Sequence, residues 1–224
     1  MQACIVGHGP SMIKNSYGKE IDDHDKVIRM KKSTNLLQRP ELFGAKTDIV
    51  CASLVVGKSV MDSWSKEYWL FLDTRTLPLG DVEIQAVKSA FLPNKCLIDR
   101  GLCLHWIEHY RNIRIPMSWD DRQQRKGSSA FGINIMLSDN LGHLHCSAGM
   151  FTILYALKHL KPKTLKLYGF DNMQKGTFDW SVTRGPEWNE YPDHNWATEH
   201  KMLEDVCKAY HYKLDREEML CSAL

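Results

Sequence analysis

The stretch from Ala3 to Lys32, ACIVGHGPSMIKNSYGKEIDDHDKVIRMKK, constrains the fold more than any other part of the chain. Cys4-Ile5-Val6 is a short apolar run of the buried-strand type. It stops at Gly7-His8-Gly9-Pro10-Ser11, where two glycines and a proline let the backbone turn sharply and approach a ligand closely. Ser11 is placed to cap a helix. Lys26-Val27-Ile28-Arg29-Met30 then reads as a second strand. In an open α/β sheet, ligands bind just outside the carboxyl ends of the strands. His8 to Ser11 and Arg29 to Lys32 fall at those ends. A G-x-G turn alone is weak evidence, because an ordinary strand–turn–helix start reads the same way.

The same alternation continues downstream. Thr47 to Ser53, TDIVCAS, is a third apolar strand, and Glu67 to Asp73, EYWLFLD, a fourth, aromatic enough to be read as central. Asp81 to Phe91 has helical spacing and ends before Pro93. Lys95 to Ile98 is a further strand, and Gly101 to Tyr110 a helix. Strands alternating with helices predict βαβ units and a mostly parallel sheet. At 224 residues the chain is expected to form one domain, 1–224. A net charge of +2 argues against a strongly basic nucleic-acid module. The seven cysteines are an odd number without C-x-x-C spacing, so they read as free thiols in a reducing compartment. No basic-then-apolar leader and no spanning apolar run are present, so a soluble, cytoplasmic chain is expected, or a domain cut from an anchored parent.

Two stretches depart from the alternation. Ser118 to Ser129 is polar and basic, and reads as a mobile surface loop. It is either a solvated connector or a lid that brings Arg122, Arg125 and Lys126 to an anionic ligand. Residues 172–193 are long and irregular, with Phe178, Trp180, Trp188 and Tyr191. They form a lid candidate over a sugar ring or base, or pack onto the core. Between them, Cys146 to Leu160 has helical spacing with Ser147 as its cap. Ala148 and Gly149 leave the first turn open, and an open helix N-terminus favours a carboxylate or phosphate. Leu165 to Phe170 is the next strand, with Asp171 at its carboxyl end.

Asp193 to Leu214 closes the pattern as a helix. Trp196, His200, Leu203, Cys207 and Tyr210 form its apolar face, with Glu199 and Glu204 on other faces. His194 falls in the first turn. A helix N-terminus disfavours imidazolium and keeps this histidine neutral, able to accept a proton. His143 and His145 lack a nearby third ligand, so no metal site is expected.

Together these stretches resemble the sialyltransferases. The resemblance is greatest to the animal Golgi enzymes of glycosyltransferase family 29, with echoes of bacterial family 42. Gly7-x-Gly9, Ser16, Gly18, Ile21-Asp22, His24-Asp25, Val27 and Arg29-Met30 look like the family's long motif. Ser147-Ala148-Gly149, Leu154, Ala156-Leu157 and Tyr168-Gly169-Phe170 look like its short motif. His194 with Glu199 five residues later looks like its very short motif. The resemblance implies a Rossmann-like α/β domain with a mobile lid loop. It also implies inverting transfer of sialic acid from CMP-sialic acid to a glycan or other hydroxyl acceptor, without metal or other cofactor. Carried over, His194 is the general base. Gly7, His8, Gly9, Pro10, Ser11, Arg29, Lys31, Ser147, Ala148, Gly149, Gly169 and Asp171 line the donor site, and Glu199 and Arg184 support it.

The departures from the family pattern motivate the alternatives. The family's two nucleotide-contacting asparagines are replaced by His8 and Lys31, and lysine offers only donors where an amide offers both roles. Ala148 lacks a hydroxyl that the family's short motif carries. The family's third-motif histidine is not recognisable; Arg184, Lys175 or the 122–126 loop stand as substitutes for it. The alternatives are a different nucleotide-sugar donor, a small-metabolite acceptor or one on nucleic acid, and a catalytically silent nucleotide- or glycan-binding module. In the family a disulfide joins the long and short motifs, and Cys4 and Cys146 occupy the corresponding places. Short length and the lack of an anchor fit a microbial or viral relative.

Overall fold

The first strand, β1 (Gln2–Val6), is apolar along most of its length because both of its faces are covered. Ala3 and Ile5 enter the larger of two hydrophobic clusters, and Cys4 and Val6 enter the smaller one. The computed structural model describes residues 1–7, 9, 11–30, 39–54, 65, 67–72, 80–91, 94–109, 129–130, 133–134, 147–170 and 196–224. After β1 come α1 (Ser11–Lys14), α2 (Gly18–Asp22), β2 (Lys26–Met30), α3 (Pro40–Phe43) and β3 (Ile49–Ser53). Next are β4 (Glu67–Phe71), α4 (Asp81–Ala90), β5 (Lys95–Ile98) and α5 (Arg100–His109). A two-stranded pair, β6 (Ser129–Ala130) and β7 (Ile133–Asn134), precedes α6 (Ala148–Tyr155). Then follow β8 (Thr164–Tyr168), α7 (Trp196–Ala209), β9 (Tyr212–Asp215) and β10 (Leu220–Ala223).

Eight strands form one sheet in the order β5-β4-β3-β2-β1-β8-β10-β9. From β5 to β8 every neighbour is parallel, while β10 runs antiparallel to both β8 and β9. The order leaves β1 in both directions, through β2 to β5 on one side and directly to β8 on the other. That reversal puts a topological switch point between β1 and β8, where neighbouring crossovers diverge and open a crevice.

Helices fill both faces. Met12 of α1, Ile21 of α2, and Leu42 and Phe43 of α3 close the smaller core over Cys4, Val6 and Val27. The larger core takes Ile84 and Val87 from α4, Phe151 and Leu154 from α6, and Leu203 and Val206 from α7. Phe151 stacks on Phe71 with centroids 4.6 Å apart, and Tyr155 lies 6.1 Å from Trp69. The Tyr155 hydroxyl donates to the Leu70 carbonyl at 2.9 Å and accepts the Asp99 N–H at 2.9 Å. It ties α6 to β4 and to the end of β5. Burial pushes its ionisation well above the ordinary phenol range.

The α/β class with a mostly parallel sheet is as the sequence predicts, and several details differ. The aromatic strand β4 is not central but next to the edge strand β5. It is apolar because α4 and α6 cover it from opposite sides, with Tyr68 on Phe91 at 5.0 Å and Trp69 on Tyr155. Ser11 is the first residue of α1 and not its cap. The 146–160 pattern is α-helical only to Tyr155, then widens into a π turn over Ala156–Leu160 and stops at left-handed Lys161. The last helix ends at Ala209, and Tyr212 to Leu214 belong to β9. His211, at φ +61°, reverses the chain there without the glycine that marks such a stop in a sequence. Cys4 is a free, buried thiol 3.9 Å from the Ile21 carbonyl. It lies in the smaller core, whereas α6 packs into the larger one. Burial pushes the Cys4 thiol up to about 12. No helix among the described residues is long and apolar enough to cross a membrane.

Candidate functional site at the sheet switch point

At the switch point the end of β1 meets the end of β8 backbone to backbone. The Gly7 N–H donates to the Tyr168 carbonyl and the Gly9 N–H to the Gly169 carbonyl, both at 2.7 Å. A Cβ on Gly7 would stand 2.7 Å from the Gly169 oxygen, too close for any other residue without movement. Gly169 itself sits at φ +69°. The close approach that these glycines permit is therefore made to β8, and these two amides are spent there. Tyr168 strengthens the junction with its side chain, since its hydroxyl donates to Glu20 of α2 at 2.6 Å. Tyr17 and His24 pack their rings against it, at 5.2 and 5.8 Å.

The N-terminus of α6 lies beside this junction. Ser147 caps it as its sequence position predicts, accepting the Met150 N–H on its hydroxyl at 3.2 Å. Gly149 lies under Phe170, where a Cβ would be 2.9 Å from the ring. Thus two parts of one motif, separated by the whole of α6 and β8, touch at the carboxyl end of the sheet. The Ala148 carbonyl accepts the Thr152 hydroxyl at 2.7 Å, which stiffens the first turn.

Glu199 joins α7 to the same place. It sits in the first turn of α7 and is 3% exposed. One carboxylate oxygen accepts the Ser147 N–H at 2.6 Å and the other accepts the Ser147 hydroxyl at 2.5 Å. Charge-assisted bonds of this kind are short and about twice as strong as neutral ones. The sequence pattern puts Glu199 off the apolar face of its helix, but the structure buries it one and two turns before Leu203 and Val206, on the side that faces the core. Its charge hides this in the sequence, because the carboxylate is spent on the start of α6. Two helix N-termini, each the positive end of a helix dipole, are clasped together here, and such ends favour an anionic group.

Arg29 requires a correction. It was expected among the donor-binding residues, but it is 0% exposed and points into the smaller core side of the sheet. Its Nε donates to the Lys46 carbonyl and the Thr47 hydroxyl, both at 3.0 Å. Its Nη2 donates to the Phe43 carbonyl at 2.8 Å and the Gly44 carbonyl at 3.1 Å. A cation there satisfies the carbonyls at the end of α3. Burial pulls the guanidinium down to about 10, so it stays charged at neutral pH. Other long-motif residues also hold the chain. Asp22 accepts the Ala45 and Lys46 N–H groups, and Asp25 accepts the Gln2 N–H. The sequence did not signal these framework roles, because a carboxylate spent on a backbone N–H looks like any other.

Ser11 opens α1, which follows the Gly7–Gly9 turn. His194, His8, Pro10, Lys31, Asp171 and Arg184 lie outside the described residues, as do Cys146, the 172–193 lid and the 118–128 loop. Ser129 alone of that loop is described, and it begins β6. Among the described residues no three His, Cys, Asp or Glu side chains converge as a metal-ligand group.

The model of glycosyltransferase family 29 (sialyltransferase) matches residues 1–211. The chain belongs to that family. This family-29 chain is similar to the crystal structure of a mammalian sialyltransferase at 16% identity and a TM-score of 0.48, over 93% of this chain and 66% of that one. It is also similar to a mammalian sialyltransferase in complex with Gal-beta-1-3GalNAc-ortho-nitrophenol, at 16% identity and 0.47, over 92% and 66%. The family-29 chain therefore spans 66% of the length of these solved structures. No curated protein matches it.

Proposed function

We propose that this chain is an inverting glycosyltransferase that moves sialic acid from CMP-sialic acid to an acceptor hydroxyl without a metal. The observation that carries the reading is the Glu199–Ser147 clasp. It fastens the first turn of α7 to the first turn of α6 at the sheet switch point. His194 precedes the first residue of α7, Trp196, by two positions in the sequence, and Ser147 and Gly149 open α6. The clasp supports a base and an anion-binding helix end acting on one substrate. In this reading the α6 N-terminus takes the donor's carboxylate or phosphate. His194 takes the proton of the acceptor hydroxyl as its oxygen bonds to the anomeric carbon. The bond from that carbon to the CMP phosphate oxygen breaks, and CMP leaves from the opposite face, so the configuration inverts. Glu199 acts by position, holding Ser147 and the start of α7. The acceptor is a glycan or another hydroxyl compound.

His8 and Lys31, which stand where the family has asparagine, motivate a second reading with another nucleotide-sugar donor. A turnover screen of CMP-sialic acid against UDP- and GDP-sugars separates the two. Release of CMP above every other nucleotide is expected. Turnover of a UDP- or GDP-sugar with CMP-sialic acid inert would replace the donor assignment. Binding without turnover of any donor would make the chain a binding module.

A further inference from the structure

Cys207 on α7 and Cys221 on β10 face one another inside the larger core, their sulfurs 3.4 Å apart. They are 14 positions apart in sequence, and the α7–β9 turn and the β9–β10 hairpin make up the chain between them. Both are free thiols. The fold holds them together from both sides. Leu203, Val206 and Tyr212 belong to the same core, and β10 is hydrogen-bonded between β8 and β9.

We propose that Cys207 and Cys221 are a thiol-oxidation site, forming a reversible disulfide that staples α7 to β10. The inference does not depend on the transferase reading. The pair is buried, but β10 is covered on one side only by β9, the edge strand of the sheet. Edge elements open locally at smaller cost than central strands, and such opening admits an oxidant. With a disulfide oxidant such as oxidised glutathione, the Cys221 thiolate attacks one glutathione sulfur and releases the first glutathione thiolate. Reclosing brings Cys207 against the mixed disulfide. Its thiolate attacks the Cys221 sulfur, the protein S–S bond forms, and the second glutathione leaves. The two protein thiols lose two protons and two electrons, and oxidised glutathione becomes two glutathione thiols.

The test incubates the full chain in a glutathione redox buffer, maps the peptides by mass spectrometry and measures the thermal midpoint. The expected result is the loss of two hydrogens and a peptide pair joining Cys207 to Cys221. The midpoint should rise by roughly 5–10 °C, because a cross-link over a loop of about 15 residues restricts the unfolded chain. Dithiothreitol should reverse both changes. Cys207→Ala and Cys221→Ala are each compared with themselves before and after oxidation, so a lower starting stability does not obscure the readout. Neither should gain stability. A persistent glutathione adduct on either cysteine, a link to a different cysteine, no oxidation of the folded chain, or a link that leaves the midpoint unchanged would overturn the proposal.

Discussion

Glu199→Ala is expected to lower unfolding free energy by about 2–4 kcal/mol, because it leaves the buried Ser147 N–H and hydroxyl without their charged acceptor. Per folded molecule, turnover should fall by on the order of 100-fold, since a shift of about 1 Å in a positioned catalytic group costs that much. Glu199→Gln separates the two effects. Its amide oxygen still accepts the Ser147 N–H, but its NH2 cannot accept the proton that the serine hydroxyl donates to the carboxylate. The glutamine variant should keep most of the stability and lose much of kcat, with the donor KM changed less. Urea unfolding and initial-rate kinetics read both quantities. Wild-type stability and wild-type kcat in Glu199→Ala would mean that the clasp positions nothing.

Arg29→Met is expected to be the most destabilising change in the long motif, at about 3–5 kcal/mol. It strips the Phe43, Gly44 and Lys46 carbonyls and the Thr47 hydroxyl of one shared donor group inside a closed core. Arg29→Lys keeps the charge but replaces the planar fork with one ammonium, so it should recover only part of the loss. Both variants should bind CMP as the wild type does at a temperature where they remain folded. Calorimetry of CMP binding alongside urea unfolding decides the matter. A loss of CMP affinity at full stability would return Arg29 to the donor site.

These two residues show what a sequence displays and what it hides. Ser147 was legible as a cap because a serine before small residues and an apolar helix has few other local uses. The strand ends at Val6 and Met30 were legible because short apolar runs stop at polar or glycine-rich turns. The partner of Ser147 was not legible. Glu199 lies 52 residues away, and no periodicity encodes which face of α7 meets which end of α6. Arg29 was misread for a related reason. A basic residue at the carboxyl end of a parallel strand has the address of a ligand contact, but strand alternation turns it inward beside Val27 and under α3. The C-terminal hairpin was hidden by its turns. His211 adopts a positive φ without being glycine, so the helical spacing runs on in the sequence through a chain reversal. Gly149 and Phe170 belong to one motif, yet only the structure gives the reason they occur together, which is that the ring occupies the space a Cβ would need.

The most direct test of the central claim is nucleotide release from CMP-sialic acid, measured with and without a simple galactoside, for the wild type and for His194→Ala. The account predicts CMP release that the acceptor stimulates in the wild type. In His194→Ala it predicts a loss of that stimulation on the order of 100- to 10,000-fold, the usual contribution of a general base, with unfolding stability unchanged. Acceptor-stimulated release that survives intact in His194→Ala would contradict the base assignment. No release from CMP-sialic acid by the wild type under any acceptor would contradict sialyl transfer itself.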